Sequence, residues 1–303
     1  MSKPSLAAIR TSNLAARWSY RPTAMFVGAT SGIGEGTAKA FAQATKGRAH
    51  IIILGRSREC ADQIIASFPQ TPESRYDFIQ CDLSLMTNVV AAANEAKTKI
   101  EGPLNYLVLS QGMSHAKGFT PTSEGIDIKL ALHFYSRWKF VDELYPLLEK
   151  AAAEGQEARI LNVMDPKKTK PIDVTDFGLK KDYSIIRCGQ QNSAYNNVMV
   201  EEYTRRYPNL SIAHVYPGWV KTGIARNTPM YAKPVVAGLR LLCKSPEECG
   251  EWMLSALLNE KYKQGGFFLE EFGEEIEILK HGEEVRKLLV EHYRKETDLS
   301  SPA

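Results

Sequence analysis

Residues 25–36 have the sequence MFVGATSGIGEG, in which a short apolar run is followed by closely spaced glycines. The apolar run Met25–Val27 predicts a short buried strand, and the glycines after it predict a tight turn into a helix. Glycine at Gly28, Gly32 and Gly34 would let the backbone come close to a pyrophosphate, and the free N–H groups of a helix N-terminus favour an anion. The stretch therefore predicts a dinucleotide-binding turn with the spacing G-x-x-x-G-x-G.

Strand and helix signals alternate along most of the chain. The predicted strands are Met25–Val27, His50–Leu54, Tyr76–Cys81, Leu104–Leu109, Ala158–Val163, Leu210–Tyr216 and Gly266–Leu269. The predicted helices between them are Thr37–Thr45, Cys60–Phe68, Asn88–Ile100, Gly125–Lys150 and Gln190–Tyr207. Strands that are apolar along their whole length are covered on both faces. The pattern predicts the α/β class, with a single Rossmann-like, doubly wound parallel sheet and helices on both faces.

This alternation also predicts how the chain is divided. We expect an N-terminal arm over residues 1–24 and one domain over residues 25–303. The alternation is interrupted near residues 219–244, where we expect a lid over the substrate.

Composition narrows the classes of partner. The chain has 303 residues, 44% of them apolar, and a net charge of only +3, so no nucleic-acid partner is expected. No apolar run reaches about 18 residues, so no membrane span is expected. The five cysteines form no C-x-x-C pair and the histidines lack metal-site spacing, so no metal is expected. A cytoplasmic location fits best, although residues 1–24 are basic and free of acids, as in an organellar targeting peptide.

Three motifs in order resemble the short-chain dehydrogenase/reductase family over about residues 23–270. The glycine turn is similar to the family's T-G-x-x-x-G-x-G, with Val27 in place of threonine. Asp82 and Leu83 match the acidic position after the third strand, which contacts adenine in the family. The stretch PGWVKT (residues 217–222) matches P-G-x-V-x-T, which borders the nicotinamide. Fungal and retinol-dehydrogenase-like members are the most similar in pattern.

The resemblance implies an oxidoreductase that binds a nicotinamide cofactor and a small-molecule substrate, and it allows for a homo-oligomer assembled through the long helices. The residues expected to bind the cofactor are Gly28, Thr30, Ser31, Gly32, Ile33, Gly34, Arg56, Ser57, Asp82, Leu83, Ser110, Gly112, Pro217, Gly218, Val220 and Thr222.

The end of the second strand favours NADP(H) over NAD(H). An acid at this position would bind the ribose 2′-hydroxyl and repel a 2′-phosphate. This chain has Arg56, whose planar guanidinium suits a phosphate, followed by the hydroxyl of Ser57.

The catalytic positions depart from the family pattern of Asn, Ser, Tyr and Lys. His133 stands at the Asn position and Asp165 at the Ser position. Without gaps, Gly189 falls on the Tyr and Ser193 on the Lys. An alternative alignment takes Tyr183 and Arg187 as Y-x-x-x-R, and it needs an insertion before the next matching stretch.

The sequence allows three functional hypotheses. In the leading one, an NADP(H)-dependent oxidoreductase acts on a carbonyl or alcohol of a small, fairly apolar molecule. Tyr183 would donate the proton, Arg187 would support it, and Asp165 and His133 would position substrate or carry protons, with substrate near Ser114, His115 and Phe119. The alternatives are an NADP(H)-binding sensor without redox turnover, and a non-redox isomerase, lyase or cyclase that uses the same Asp and His.

Overall fold

The computed structural model describes residues 3–113, 117–221 and 243–298. Within these ranges, seven parallel strands form one sheet in the order β3-β2-β1-β4-β5-β6-β7. The strands are β1 (Thr23–Val27), β2 (His50–Gly55), β3 (Arg75–Gln80), β4 (Tyr106–Leu109), β5 (Arg159–Val163), β6 (Ser211–Val215) and β7 (Gly265–Leu269). This topology confirms the predicted doubly wound parallel sheet, and each predicted strand is present with only its ends shifted.

Helices cover both faces of this sheet. In the described ranges they are α1 (Leu6–Ala15), α2 (Gly32–Ala44), α3 (Arg58–Ala66), α4 (Met86–Lys99), α5 (Ile128–Leu130), α6 (Ser136–Ala153), α7 (Ile185–Arg206), α8 (Pro246–Leu258) and α9 (Glu283–Thr297). No described helix has the length and apolar character needed to cross a lipid bilayer.

The central strand β1 is buried from both sides. Met25 and Val27 pack into an apolar cluster shared with α4, α6 and α7. Ala24 and Phe26 pack into a second cluster, shared with α2 and α8. All four side chains are fully buried. This two-sided burial explains why the strand is apolar at successive positions and shows no alternation.

The strand order reverses between β1 and β4, and this reversal positions the site. The chain runs from β1 outward to β2 and β3, then returns to the other side of β1. Val27 pairs with Leu54 on one side and with Leu109 on the other. The turns after these three strands therefore lie next to one another at the carboxyl ends of the strands. In open α/β sheets, ligands bind in the crevice at such a reversal.

The predicted long helix Gly125–Lys150 starts later and contains an irregular turn. It begins at Ile128, because the Asp127 carboxylate accepts from the N–H groups of Lys129 and Leu130 and caps α5. A π-helical turn, Ala131–Tyr135, then joins α5 to α6 without a break.

Helices α1, α8 and α9 are not among the sequence-predicted elements. The described part of the predicted N-terminal arm contains α1, which packs on α8 through Asn13 and Glu251, and the first residues of β1. Helix α9 packs on α6, on α7 and on the π-helical turn. There the Tyr293 hydroxyl donates to Asp142 at 2.6 Å, and His292 Nε2 lies 2.7 Å from the Tyr135 hydroxyl.

Candidate active site

The glycine turn after β1 is held tightly against the neighbouring strands. The N–H groups of Gly28 and Ala29 both donate to the carbonyl oxygen of Leu54, at 2.9 and 3.1 Å. Gly28 has a φ of 79° and Gly32 a φ of 66°, which side chains other than glycine rarely adopt. A Cβ on Gly28 would also stand 2.6 Å from the Cα of Gln111. The turn is thus closed by contacts that only glycine permits.

The start of α2 leaves its backbone N–H groups without a side-chain partner. Ser31 is the N-cap residue, and its hydroxyl makes no capping hydrogen bond. A Cβ on Gly34 would stand 2.8 Å from the Cα of Ala29 and would collide with the hydroxyl of Ser110. Four N–H groups at a helix start need partners from outside the helix. The uncapped N–H groups at the start of α2 are suited to bind the oxygens of a pyrophosphate.

Arg56 and Ser57 follow β2 on the same edge of the sheet. Arg56 is exposed, and within the described ranges its guanidinium forms no ion pair. The Ser57 hydroxyl accepts from the N–H of Cys60 at 3.2 Å and caps α3, so its own hydrogen remains available to donate. Gly55 lets Thr30 approach, because a Cβ there would stand 2.6 Å from Thr30 Oγ1. Arg56 and Ser57 therefore offer a positive charge and a hydroxyl group to a phosphate.

Asp82 and Leu83 follow β3 at that edge. One carboxylate oxygen of exposed Asp82 accepts from the backbone N–H of Ser84 at 3.0 Å and from its hydroxyl at 2.8 Å. Leu83 is buried. An anchored acid beside an apolar side chain suits the amino group and the face of an adenine ring.

Gly112 and His133 are brought together at the other end of the crevice. A Cβ on Gly112 would stand 2.8 Å from His133 Nε2, and this nitrogen accepts from the N–H of Met113 at 3.1 Å. Burial lowers the pKa of the His133 imidazole to about 3, and the charges of Arg137 and Lys129 act in the same direction. The ring is therefore neutral, with its proton on Nδ1 and with Nε2 engaged by the backbone.

Arg137 lies beneath this region, and sequence reasoning missed it. Its buried guanidinium donates to the carbonyl oxygens of Leu109, Gln111 and Val163 and to Asn162 Oδ1. It thereby ties α6 to the carboxyl ends of β4 and β5. The signal in the sequence was a basic residue within the apolar face of a long helix.

Asp165 closes a turn directly after β5. Its Oδ1 accepts from the backbone N–H of Lys167 at 3.0 Å, and the residue is partly buried. This contact is typical of an aspartate that stabilises a turn.

Tyr183 and Arg187 are not brought together as a pair. Tyr183 lies before the N-cap of α7, and its hydroxyl donates to Asp127 Oδ1 at 3.5 Å. Burial raises the pKa of the Tyr183 phenol, and contacts with Cys188 and Asp127 raise it further. Arg187 instead pairs with carboxylates of the β5–α7 loop, at 2.7 Å with Asp173 and also with Asp182.

Gly189 and Ser193 lie on α7. Ser193 is buried, and Gly189 faces the side chain of Lys168, whose Nζ would be 3.6 Å from a Cβ on that glycine.

The PGWVKT stretch follows β6, and its described part is anchored. Gly218 has a φ of 72°, and a Cβ there would collide with the Glu271 carboxylate. The N–H of Lys221 donates to the carbonyl of Lys244, and the N–H of Lys244 donates to the carbonyl of Trp219, both at 2.9 Å. The Pro217–Val220 positions thus border β6, whereas Thr222, most of the predicted lid, Ser114 and His115 lie outside the described residues. Phe119 packs edge-on against Tyr183.

The short chain dehydrogenase family profile matches residues 22–172, so the match ends within the β5–α7 loop. Oxidoreductase AN1596 of Emericella nidulans is 34% identical over 226 residues, which are 74% of this chain and 66% of the relative. Oxidoreductase andH of Emericella variicolor is 31% identical over 221 residues, which are 72% of this chain and 64% of the relative. The chain therefore spans slightly less than two thirds of the length of these two relatives.

Solved structures share the fold at lower identity. The Pseudomonas aeruginosa RhlG/NADP active-site complex aligns with a TM-score of 0.62 and 19% identity, over 84% of this chain and 96% of that chain. The NADPH-bound carbonyl reductase from chicken fatty liver aligns with a TM-score of 0.61 and 19% identity, over 86% of this chain and 99% of that chain. Because the ordered motifs, the sheet topology and the fungal relatives agree, the chain belongs to the short-chain dehydrogenase/reductase family.

Proposed function

We propose that the protein is an NADP(H)-dependent oxidoreductase that acts on the carbonyl or alcohol group of a small, fairly apolar molecule. The observation that carries this proposal is the helix start at the glycine turn. It has no side-chain cap, and Gly34 leaves no room for a Cβ beside Ala29. Phosphate oxygens satisfy such a helix start. NADP and NADPH in the two solved structures of similar fold support the same class of ligand here.

The preference for NADP(H) over NAD(H) rests on the charge at the end of β2. Arg56 has no ion pair with any carboxylate of the described ranges, so its guanidinium is available to a 2′-phosphate. Ser57 keeps a hydroxyl hydrogen for the same group. A bidentate, charge-assisted contact with phosphate is among the strongest polar contacts a side chain makes.

We propose that further residues, at the turns after β1, β3, β4 and β6, hold the cofactor. NADP(H), when bound, would supply or accept the hydride. The first turn of α2 would bind the pyrophosphate, and Asp82 with Leu83 would hold the adenine. The other residues proposed to border the cofactor are Gly28, Thr30, Ser31, Gly32, Ile33, Ser110, Gly112, Pro217, Gly218, Val220 and Thr222.

A second candidate function is NADP(H) binding without redox turnover. One observation favours it: Tyr183 and Arg187 contact separate partners, Asp127 for the hydroxyl and Asp173 with Asp182 for the guanidinium. The raised pKa of the Tyr183 phenol also makes it a weaker proton donor.

Calorimetric titration with NADPH tests the proposal, with Gly34→Ala as the key variant. The added methyl would push into the turn, so we expect the affinity for NADPH to fall by at least about tenfold. Gly102→Ala is the matched control, because a Cβ there meets nothing within 4 Å. Equal NADPH affinity in the two variants would contradict the proposed pyrophosphate site at the start of α2.

Redox turnover separates the two candidate functions. The protein is mixed with NADPH and phenanthrenequinone, a flat apolar dicarbonyl, and the loss of nicotinamide absorbance is followed. We expect oxidation of NADPH for the oxidoreductase. Tight NADPH binding with no oxidation across a panel of aldehydes and ketones would favour the second candidate, and no binding would overturn both.

A further inference from the structure

Gly189 faces the space above the carboxyl ends of the strands. Asn196, on the same helix, accepts a hydrogen bond from Asn162 of β5 at 2.9 Å, so this side of α7 packs on the sheet. Gly189 precedes Asn196 by about two helical turns, ~10 Å along the axis, and lies on the same side of α7. Because a helix that connects parallel strands runs opposite to them, the first half of α7 extends beyond the end of β5. Gly189 therefore borders the crevice in which such folds bind their ligands.

The side chain of Lys168 fills the space that Gly189 leaves. A Cβ on Gly189 would lie 3.6 Å from Lys168 Nζ and 3.7 Å from its Cε. Lys168 is exposed, and its ammonium forms no ion pair with the carboxylates in the part of the chain that the structure describes. An unpaired ammonium thus stands where the ungapped alignment of the sequence puts the family's tyrosine.

The backbone that precedes Lys168 is held by contacts of residues 165–167. Asn197 Nδ2 on α7 donates to the carbonyl of Pro166 at 2.9 Å. Asp165 accepts from the N–H of Lys167, and the Lys167 ammonium pairs with Glu270 after β7. These contacts fix the start of the loop while they leave the Lys168 ammonium free. A group that must meet a reacting atom benefits from such an anchored backbone.

We propose that Lys168 is the proton donor in the reduction of a carbonyl substrate, in the place of the side chain that Gly189 lacks. This inference rests on the proposed function. The carbonyl carbon receives a hydride from NADPH, which is oxidised to NADP⁺. The π-electron pair of the C=O bond takes a proton from the Lys168 ammonium, so an O–H bond forms and the substrate becomes an alcohol. The neutral Lys168 amine then regains a proton from water, to which it is exposed.

Chemical labelling tests the location of Lys168 without any turnover. Lysines of the full-length protein are reductively methylated with formaldehyde, with and without saturating NADP⁺, and the modified sites are mapped by mass spectrometry. We expect NADP⁺ to slow the modification of Lys168. Lys170, an exposed lysine of the same loop, should react at the same rate in both samples. Equal modification of Lys168 with and without NADP⁺ would overturn the inference, whether or not a carbonyl probe is turned over.

Kinetics of three variants test the chemical role. In Lys168→Met we expect NADPH affinity to stay close to wild type while kcat for phenanthrenequinone falls about 10²-fold or more, the usual contribution of a general acid. The Lys168→Arg variant should show a similar loss of kcat, because a guanidinium does not release its proton. Lys170→Met should behave as wild type. If wild-type protein binds and oxidises NADPH and Lys168→Met does so at the same rate, the Lys168 role is overturned and the proposed function stands. If wild-type protein does not bind NADPH, the proposed function fails first.

Discussion

The side-chain amide of Asn196 donates a hydrogen bond to the backbone carbonyl oxygen of His133 at 2.9 Å, and this bond joins α7 to the π-helical turn. The oxygen of the same side chain accepts from Trp138 Nε1 at 3.0 Å and from Asn162 Nδ2 at 2.9 Å. Asn196 is fully buried. The π-helical turn, the end of β5 and α7 therefore form one buried polar unit beneath the candidate site.

Replacing Asn196 by alanine should destabilise the fold strongly. The indole N–H of Trp138 and the amide of Asn162 would each lose a buried acceptor, and each unsatisfied group costs about 1–3 kcal/mol. We expect the free energy of unfolding in urea to fall by at least about 2 kcal/mol. Asn94→Ala, at an exposed position of α4, should change it by less than about 0.5 kcal/mol. Equal unfolding midpoints for the two variants would contradict this account.

Tyr183 should remain a neutral phenol throughout the physiological range. Its pKa is raised by burial and by neighbouring Asp127, so ionisation moves to higher pH than for a free tyrosine. We expect the ultraviolet difference between wild type and Tyr183→Phe to show no tyrosinate below about pH 10. NADPH-dependent turnover should stay close to wild type in this variant. A large loss of kcat would restore Tyr183 as the proton donor, and a tyrosinate signal near pH 7 would contradict the raised pKa.

His133 should make stability depend on pH. Its pKa is lowered from 6.5 to about 3 in the folded protein. Between these two values the unfolded chain binds a proton that the folded chain does not, so stability falls as pH falls below about 6.5, by about 1.4 kcal/mol per pH unit. His133→Asn removes the titrating group. Urea unfolding between pH 7 and pH 5 should show a smaller loss of stability in the variant than in wild type. An equal loss of stability in the two proteins would contradict the lowered pKa of His133.

Helix α9 should prevent association through the long helices α6 and α7. Tyr293 and Leu289 on α9 are buried against them, and Tyr293 donates to Asp142 of α6. We therefore expect sedimentation as a monomer of 33.8 kDa. Leu289→Asp should release α9 and expose an apolar face, which favours association. Leu288→Asp, at an exposed neighbour, should stay monomeric. A wild-type dimer cross-linked between α6 or α7 of two chains would contradict the prediction.

The predictable part of the molecule consists of local features. The glycine turn depends on neighbouring residues, and Arg56 and Asp82 each follow directly after an apolar strand. The sheet and the positions of these residues after β2 and β3 could therefore be predicted from sequence. The capping box of α8, in which Ser245 and Glu248 bond each other's backbone N–H, was a local signal as well. It was missed because no strand pattern surrounds it.

The unpredictable part depends on contacts between distant segments. Arg137 reaches carbonyl groups after β4 and β5, and the position of Lys168 over Gly189 depends on how the β5–α7 loop folds back. Neither contact leaves a periodic signal. The alignment of Tyr183 or Gly189 with the family's tyrosine was ambiguous for the same reason, because the loop length alone allowed both.

The affinity of the protein for NADPH compared with NADH shows whether Arg56 binds a 2′-phosphate. Calorimetry on wild type, Arg56→Ala and Arg58→Ala separates the free guanidinium from a neighbour that pairs with Asp62 and stacks on Phe78. We expect wild type and Arg58→Ala to bind NADPH at least about tenfold more tightly than NADH, a difference of about 1.4 kcal/mol, and Arg56→Ala to lose this preference. Equal affinity of wild type for the two nucleotides, or no binding of either, would contradict the account.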